Sequence, residues 1–205
     1  NYVNERLQQI FIELTLRREQ EEYEKEGIKW TPIKFFNNKV VCDLIDAKAP
    51  PGIFRLLDDA CRTMHHDMST ADAGFLDKCS GQHGGHEHYG SNSKGFFIKH
   101  YAGEVQYDMA GFAEKNRDVL VPELVLVMQS SGSKFISHMF PEEIEVGGQR
   151  KAPPTAGSQM VSSCSLLVQA LMRCQPHYIR CIKPNDKKAA NSFDKARSLH
   201  QVKYL

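Results

Sequence analysis

Cys79, His83, His86 and His88 offer one thiol and three imidazoles in a Cys-x-x-x-His-x-x-His-x-His run, a donor set suited to a transition metal. The run lies in a stretch, 80–95, that is rich in Gly, His and Ser, and ligands this close on such a loop could reach one ion. It meets none of the usual zinc spacings, so the expectation is that no metal is held. Phosphate chemistry lacks its apparatus as well. No Gly-x-x-x-x-Gly-Lys-Ser/Thr occurs in the sequence, hence no backbone cradle for phosphates and no hydroxyl for Mg²⁺. No catalytic residue is nominated, and the chain alone is not expected to hydrolyse a nucleotide.

Two further charged groupings suggest binding. Lys115, Asn116, Arg117 and Asp118 form a cluster that would ordinarily be solvated, and Arg150-Lys151 stands in a Gly/Pro linker over 141–158. The formal net charge is +1, so no global field recruits nucleic acid or an acidic membrane, and an electrostatic partner must be met by local patches. The longest apolar run, 119–128, is broken by Pro122 and Glu123 and is too short to span a bilayer. Six scattered cysteines without a Cys-x-x-Cys pair read as reduced thiols in a cytoplasmic chain.

The elements that must position these groups are mainly helical. Leu7, Ile10, Phe11 and Leu14 recur at i, i+3, i+4 and i+7, one stripe of an α-helix, while the turns beyond are almost wholly charged. Neither Gly nor Pro interrupts before Gly27, so about 25 residues make a rod about 37 Å long with Gly27 as its C-cap. Ile28 and Trp30 then lie at the tip of a polar turn, where a partner surface could dock; an ordinary surface helix with a half-buried Trp is the alternative. A second helix is expected to open at Thr31-Pro32, with Phe35, Phe36, Val40, Val41, Leu44 and Ile45 on its buried face, and to close at Pro50-Pro51-Gly52. A third carries Ile53, Leu56, Leu57, Ala60 and Cys61, and a fourth starts near Ala71. Residues 80–95 read as a mobile loop, and 96–108 as two short strands turning at Ala102-Gly103. Helix is expected again over 120–140, with Leu124, Val127, Met128, Phe135 and Ile136 inward, and over 165–174. His177 to Ile182 reads as a strand. The fold class is mainly α with a few short β-strands, α+β.

Five separated blocks resemble the myosin motor domain, in that family's order. They are the stretch beginning Asn1-Tyr2-Val3-Asn4-Glu5-Arg6-Leu7 and running to Trp30; Phe36-Asn37-Asn38 through Pro51-Gly52-Ile53-Phe54; His100-Tyr101-Ala102-Gly103 with Glu114-Lys115-Asn116-Arg117-Asp118; Gln175-Pro176-His177-Tyr178-Ile179-Arg180-Cys181-Ile182-Lys183-Pro184-Asn185; and Leu199-His200-Gln201-Val202-Lys203-Tyr204-Leu205. The Arg150-Lys151 linker, the wording of the first helix and Tyr204 at a thiol position of muscle-type myosins suit class I.

The resemblance implies a piece of the P-loop NTPase motor fold, chiefly its lower actin-binding-cleft subdomain. Residues 1–34 would be the relay helix and loop, 35–118 the lower cleft with an actin-binding helix–loop–helix, hairpin and strut, 119–158 an upper-cleft helix and basic loop, and 159–205 an actin-interface helix, a transducer strand and the start of the reactive-thiol helix. It further implies actin contacts at Pro51, Ile53, Phe54, Arg62, Met64, Lys78, Arg150, Lys151, Arg173, His177 and Lys183. Ile53 and Phe54 have a competing assignment as core residues of their own helix. Relay-to-converter coupling would involve Asn4, Phe11, Ile28 and Trp30, and Lys115, Asn116, Arg117 and Asp118 would form the strut. ATP and Mg²⁺ are expected in the complete motor, with F-actin as partner, and calmodulin-like light chains and membrane engaged through other regions. The uncapped start at Asn1 and unterminated end read as those of an internal fragment. The expected location is cytoplasmic, on the cortical actin cytoskeleton. The competing function is a stand-alone, nucleotide-independent actin-binding module.

Overall fold

A computed structural model describes residues 1–63, 68–117, 122–141, 155–175 and 177–203. Ten α-helices and three strands follow one another in these segments, with helix dominant, in keeping with an α+β class. The first rod is formed as its composition requires, but not uniformly. Helix α1 (Tyr2–Phe11) passes through a π-helical stretch, Ile12–Arg17, into α2 (Arg18–Lys25), and Gly27 at φ +68° ends it in the left-handed conformation that suits glycine. A π turn widens the residue spacing and rotates the side chains that follow. Ile12, absent from the Leu7-Ile10-Phe11-Leu14 stripe, is buried alongside Ile10; it stands seven residues after the buried Glu5, at the start of the π-helical stretch.

Thr31-Pro32 does not start a helix. Residues 28–37 are irregular, and α3 runs only over Lys39–Asp46, where Asn37 Oδ1 accepts the Lys39 N–H at 3.0 Å and fixes the entry turn. Phe36, expected on a buried face, is consequently half out in solvent with its ring against His88. Val41, Leu44 and Ile45 do reach the core, as the period predicts.

Helices α4 (Ile53–Thr63) and α5 (Met68–His83) pack on one another, with Ile53, Leu57 and Ala60 facing Phe75 and Cys79 in one cluster. The expected mobile loop over 80–95 is a correction: α5 continues to His83, and Tyr89–Asn92 forms β1. The strand escapes a composition reading because Gly90, Ser91 and Asn92 have low strand propensity; pairing with its neighbour forms it. β2 (Gly95–His100) and β3 (Gly103–Asp108) make the expected hairpin, and the sheet is antiparallel in the order β1-β2-β3. Tyr89 faces Ile98, and Phe96 faces Tyr107, so alternate residues line one apolar face. Phe96 lies within 5.0–6.1 Å, ring to ring, of Tyr107, Phe112, Tyr89 and Phe75, and this aromatic group joins the sheet to α5 and to α6 (Phe112–Arg117).

Beyond α6 three expectations change. Residues 122–140 hold two helices, α7 (Pro122–Gln129) and α8 (Lys134–His138), separated at Ser130-Ser131-Gly132-Ser133, and Leu124, Val127, Met128 and Phe135 are exposed while Val125 is buried. Helix α9 (Ala156–Met172) begins well before Ser165, because the Thr155 side chain accepts the Ser158 N–H and supplies an N-cap. Residues 177–182 form no strand among the described residues, where no neighbouring strand offers them a ladder. Helix α10 (Lys195–Val202), capped by Asp194, closes the described chain.

Candidate functional site

The root of the first helix carries the densest polar construction. Glu5 is fully buried, on the same face as Tyr2 and Ile12, and its carboxylate is met from two elements. Asn38 Nδ2 donates to Glu5 Oε1 at 2.7 Å and to the Glu5 carbonyl at 2.8 Å; His100 Nδ1 lies 2.7 Å from Oε2, and the Tyr101 N–H donates to the same oxygen at 3.3 Å. His100 Nε2 in turn lies 2.8 Å from the Tyr107 hydroxyl, which also accepts from Asn1 Nδ2. A buried carboxylate is tolerated only when its oxygens are satisfied, so this network ties α1 to α3 and to the β2–β3 turn in one arrangement. Burial raises the Tyr107 hydroxyl above its ordinary pKa, keeping it neutral. Asn4, exposed, lines a cleft of about 350 Å³ beside this network, opposite Tyr101 and Glu104 and near His200.

Two turns along, Phe11 meets the far end of the chain. Its ring stands edge-on to Tyr178 at 5.0 Å, the Arg180 guanidinium sits 4.1 Å from its centroid, and Arg180 Nη2 donates to Gln8 Oε1 at 2.8 Å. Among the described residues the tip has no comparable network. Arg17 bridges Glu13 and Glu21 on the helix surface, Trp30 folds back to Tyr23 at 5.5 Å, and Ile28 is exposed.

The residues nominated for a partner surface divide. Ile53 is a core residue and Phe54 is half-buried, edge-on to Tyr2 at 5.2 Å; neither forms an apolar loop tip, because both turn inward on the first turn of α4. Pro51 is half-buried. Arg62, beside Asp59 at 3.6 Å, and Lys78 are exposed on α4 and α5, and Arg173, His177 and Lys183 are exposed after α9. Met64, Asp118, Arg150 and Lys151 lie outside the described residues. Within the charge cluster, Lys115 and Arg117 are exposed, but Asn116 is buried: its Oδ1 accepts the Gly157 N–H at 2.7 Å and its Nδ2 faces Cys61 Sγ at 3.5 Å. It thus links α6 with α4 and α9 and is not solvated. A Cβ at Gly157 would stand 3.0 Å from that Oδ1 and from the Phe54 ring, so a larger residue there requires Asn116 or Phe54 to give way. The Thr155 hydroxyl donates to the buried Asp58 carboxylate nearby.

Sequence reasoning missed Glu5, Asn38, His100, Tyr107 and Asp72. A carboxylate three residues after a buried Tyr on the apolar side of a helix was the available signal, since such a group demands partners. The Cys-His run does not assemble. Cys79 is in the core, with burial pushing its thiol up to about 12, and the described residues contain no group of three or more His, Cys, Asp or Glu side chains placed to hold a metal. Cys42 is likewise pushed up to about 12 by burial, so neither thiol is a nucleophile at neutral pH. Among the described residues the helix that closely follows a strand, α6, has an anion at its start: Asp72 accepts the Gly111 and Ala113 N–H groups at 2.8 and 2.9 Å.

A family model for the myosin head (motor domain) matches residues 1–205. This chain belongs to the myosin head family. Among its relatives, myosin heavy chain IB of Acanthamoeba castellanii is 56% identical over 205 residues, myosin IB heavy chain of Dictyostelium discoideum 52% over 206, and myosin-1 of Schizosaccharomyces pombe 49% over 205. Each alignment takes in the whole chain, which spans 17–18% of the length of these myosins. The likeness is to class I myosins, and the five blocks read from the sequence all fall within the matched range.

Proposed function

We propose that this myosin-head chain is the actin-filament-binding and force-relaying part of a class I motor, and that it couples ATP hydrolysis carried out by residues elsewhere in the protein to filament affinity and lever movement. The observation that carries this reading is the asymmetry of the first helix. Its root is joined to α3, to the β2–β3 turn and, through Phe11 and Gln8, to residues 178–180, whereas among the described residues the ring contact of Trp30 at its tip is to Tyr23 of the same helix. A rod held at one end and free at the other converts a small tilt at the root into a larger displacement at the tip. On this reading it is the relay, Ile28 and Trp30 face the lever-bearing converter, α3 to α6 with the sheet form the lower cleft of the P-loop NTPase motor, and Asn116 is the buried member of the strut.

Arg62, Lys78, Arg173, His177 and Lys183 are the exposed groups that would meet acidic actin surface, with Arg150 and Lys151 making early, salt-dependent contact. Ile53 and Phe54 support that face from within. ATP and Mg²⁺ bind outside this chain, light chains and membrane are engaged elsewhere, and the motor works in the cytoplasm on cortical actin. Co-sedimentation of the full-length protein with filaments tests the reading: ATP should release it, and binding indifferent to ATP would instead indicate a nucleotide-independent actin-binding module. In the same protein Trp30→Ala should slow or stop filament sliding while ATP hydrolysis persists; unchanged sliding would remove the tip from the coupling path.

A further inference from the structure

The histidine run, which forms no metal-ligating group among the described residues, is nonetheless built into the fold. His83, the last residue of α5, is buried; its ring stands 6.0 Å from that of Tyr89 on β1 and feels the Pro51 carbonyl as a hydrogen-bond acceptor. Its Nε2 is enclosed without a hydrogen-bond partner. His86 Nδ1 accepts the His88 N–H at 3.1 Å, and the two rings lie 5.9 Å apart. His88 Nδ1 is 3.0 Å from the Lys99 carbonyl on β2, and the His88 ring packs on Phe36 at 5.2 Å. Three imidazoles in one turn therefore contact the loop that precedes α4, the irregular segment before α3, and the β1–β2 edge.

We propose that the turn bearing His83, His86 and His88 is an acid-sensitive clasp, which holds the Pro51 loop and Phe36 against the sheet while His83 and His86 are neutral and releases them when these two take up protons. The geometry requires the neutral forms. A proton on His86 Nδ1 would set an N–H against the His88 N–H that this atom now accepts, and a proton on His83 Nε2 would enclose a donor with no acceptor. Protonating both would also place two cations in neighbouring positions. The facing groups pull in both directions. Glu87 beside His86, and the Pro51 carbonyl beside His83, favour the protonated rings; Tyr89 and Phe36 bring no charge, and Lys99 meets His88 through its backbone carbonyl. Burial outweighs the favourable contacts, aided by His88 acting on His86 and His86 acting on His83, and holds both His83 and His86 below the ordinary imidazole value. The folded turn thus binds fewer protons than the unfolded one in weak acid. Its stability is fully present above about pH 6.5 and is lost as the pH falls below that value.

The test uses the full-length protein and does not depend on the actin reading. Histidine C2-proton exchange and amide exchange, both read by mass spectrometry, are followed between about pH 7.5 and about pH 5.5, the range in which imidazoles titrate. His83 and His86 should titrate below about pH 6.5, and amide protection at 84–90 and 52–56, after correction for intrinsic rate, should fall about tenfold relative to that of α9. The double variant H83Q/H86N, whose side chains do not titrate and whose Asn can still accept at the His86 Nδ1 position, should keep its protection throughout. Titration of both imidazoles at or above about pH 6.5, or a wild-type protection ratio that does not change, would overturn the clasp. A double variant that loses protection as the wild type does would also overturn it, and if that variant fails to fold, the wild-type imidazole titrations decide alone.

Discussion

The root and the tip of the first helix belong to one continuous rod and are held by opposite means. At the root a fully buried carboxylate is satisfied by Asn38, His100 and the Tyr101 amide, groups 33 to 96 residues away in sequence. At the tip, support is local: Arg17 with its neighbours four residues away on either side, Tyr23 with Glu19, and a glycine cap. Long-range buried contacts specify where a helix lies, whereas exposed i,i+4 pairs only help it to remain a helix. The π-helical stretch Ile12–Arg17 lies where one regime gives way to the other, immediately after Phe11.

This contrast can be broken by substitution, and the root should respond most. Glu5→Ala leaves Asn38 and His100 buried without their shared acceptor, and denaturant unfolding should show a loss of about 3–5 kcal/mol, the range for removing one partner of a buried pair. A loss below about 1 kcal/mol would mean that the network rearranges freely and that the root is no better specified than the tip. Phe11→Ala, which removes the Tyr178 and Arg180 contacts but no buried charge, should cost about 2 kcal/mol and should free the Arg180 segment to faster amide exchange. If exchange near Arg180 is unaltered, the root is anchored to α3 and the hairpin without help from that segment. Gly27→Ala forces a side chain into the left-handed conformation at φ +68° and should cost about 1 kcal/mol, seen as fraying confined to 23–30 with the global unfolding midpoint nearly unmoved. A midpoint shift as large as that of Phe11→Ala would show that the tip is coupled to the core after all.

The same contrast explains which features were legible beforehand. The stripe of Ile10 and Phe11, the cap at Gly27, the apolar faces of α3 and α4 and the hairpin at Ala102-Gly103 follow from spacing and from turn chemistry, which act over a few residues. β1 was not legible, because its residues are poor strand formers that pair only when β2 is beside them. The exposed apolar residues of α7 and α8 show the converse: the period marks a face, but a face is buried only if an element covers it, and among the described residues nothing covers Leu124 or Phe135. Ile53 and Phe54 were readable both as core and as surface; Ile53 joined the main core cluster, and Phe54 packed against Tyr2 and Gly157.

What the sequence determined by itself was therefore local and familial: a long charged helix with a glycine stop, the absence of a phosphate loop, mainly helical content, and the motifs that mark a myosin head. What only the tertiary structure decided was which polar groups are buried together. Glu5 with His100 and Asn38, Asn116 with Gly157, Asp72 at the start of α6, and the three histidines against Pro51, Tyr89 and Phe36 are pairings between distant segments. The physical reason is that periodicity reports which face of an element is apolar, while the partner of a buried polar atom is chosen by the one packing that leaves it satisfied.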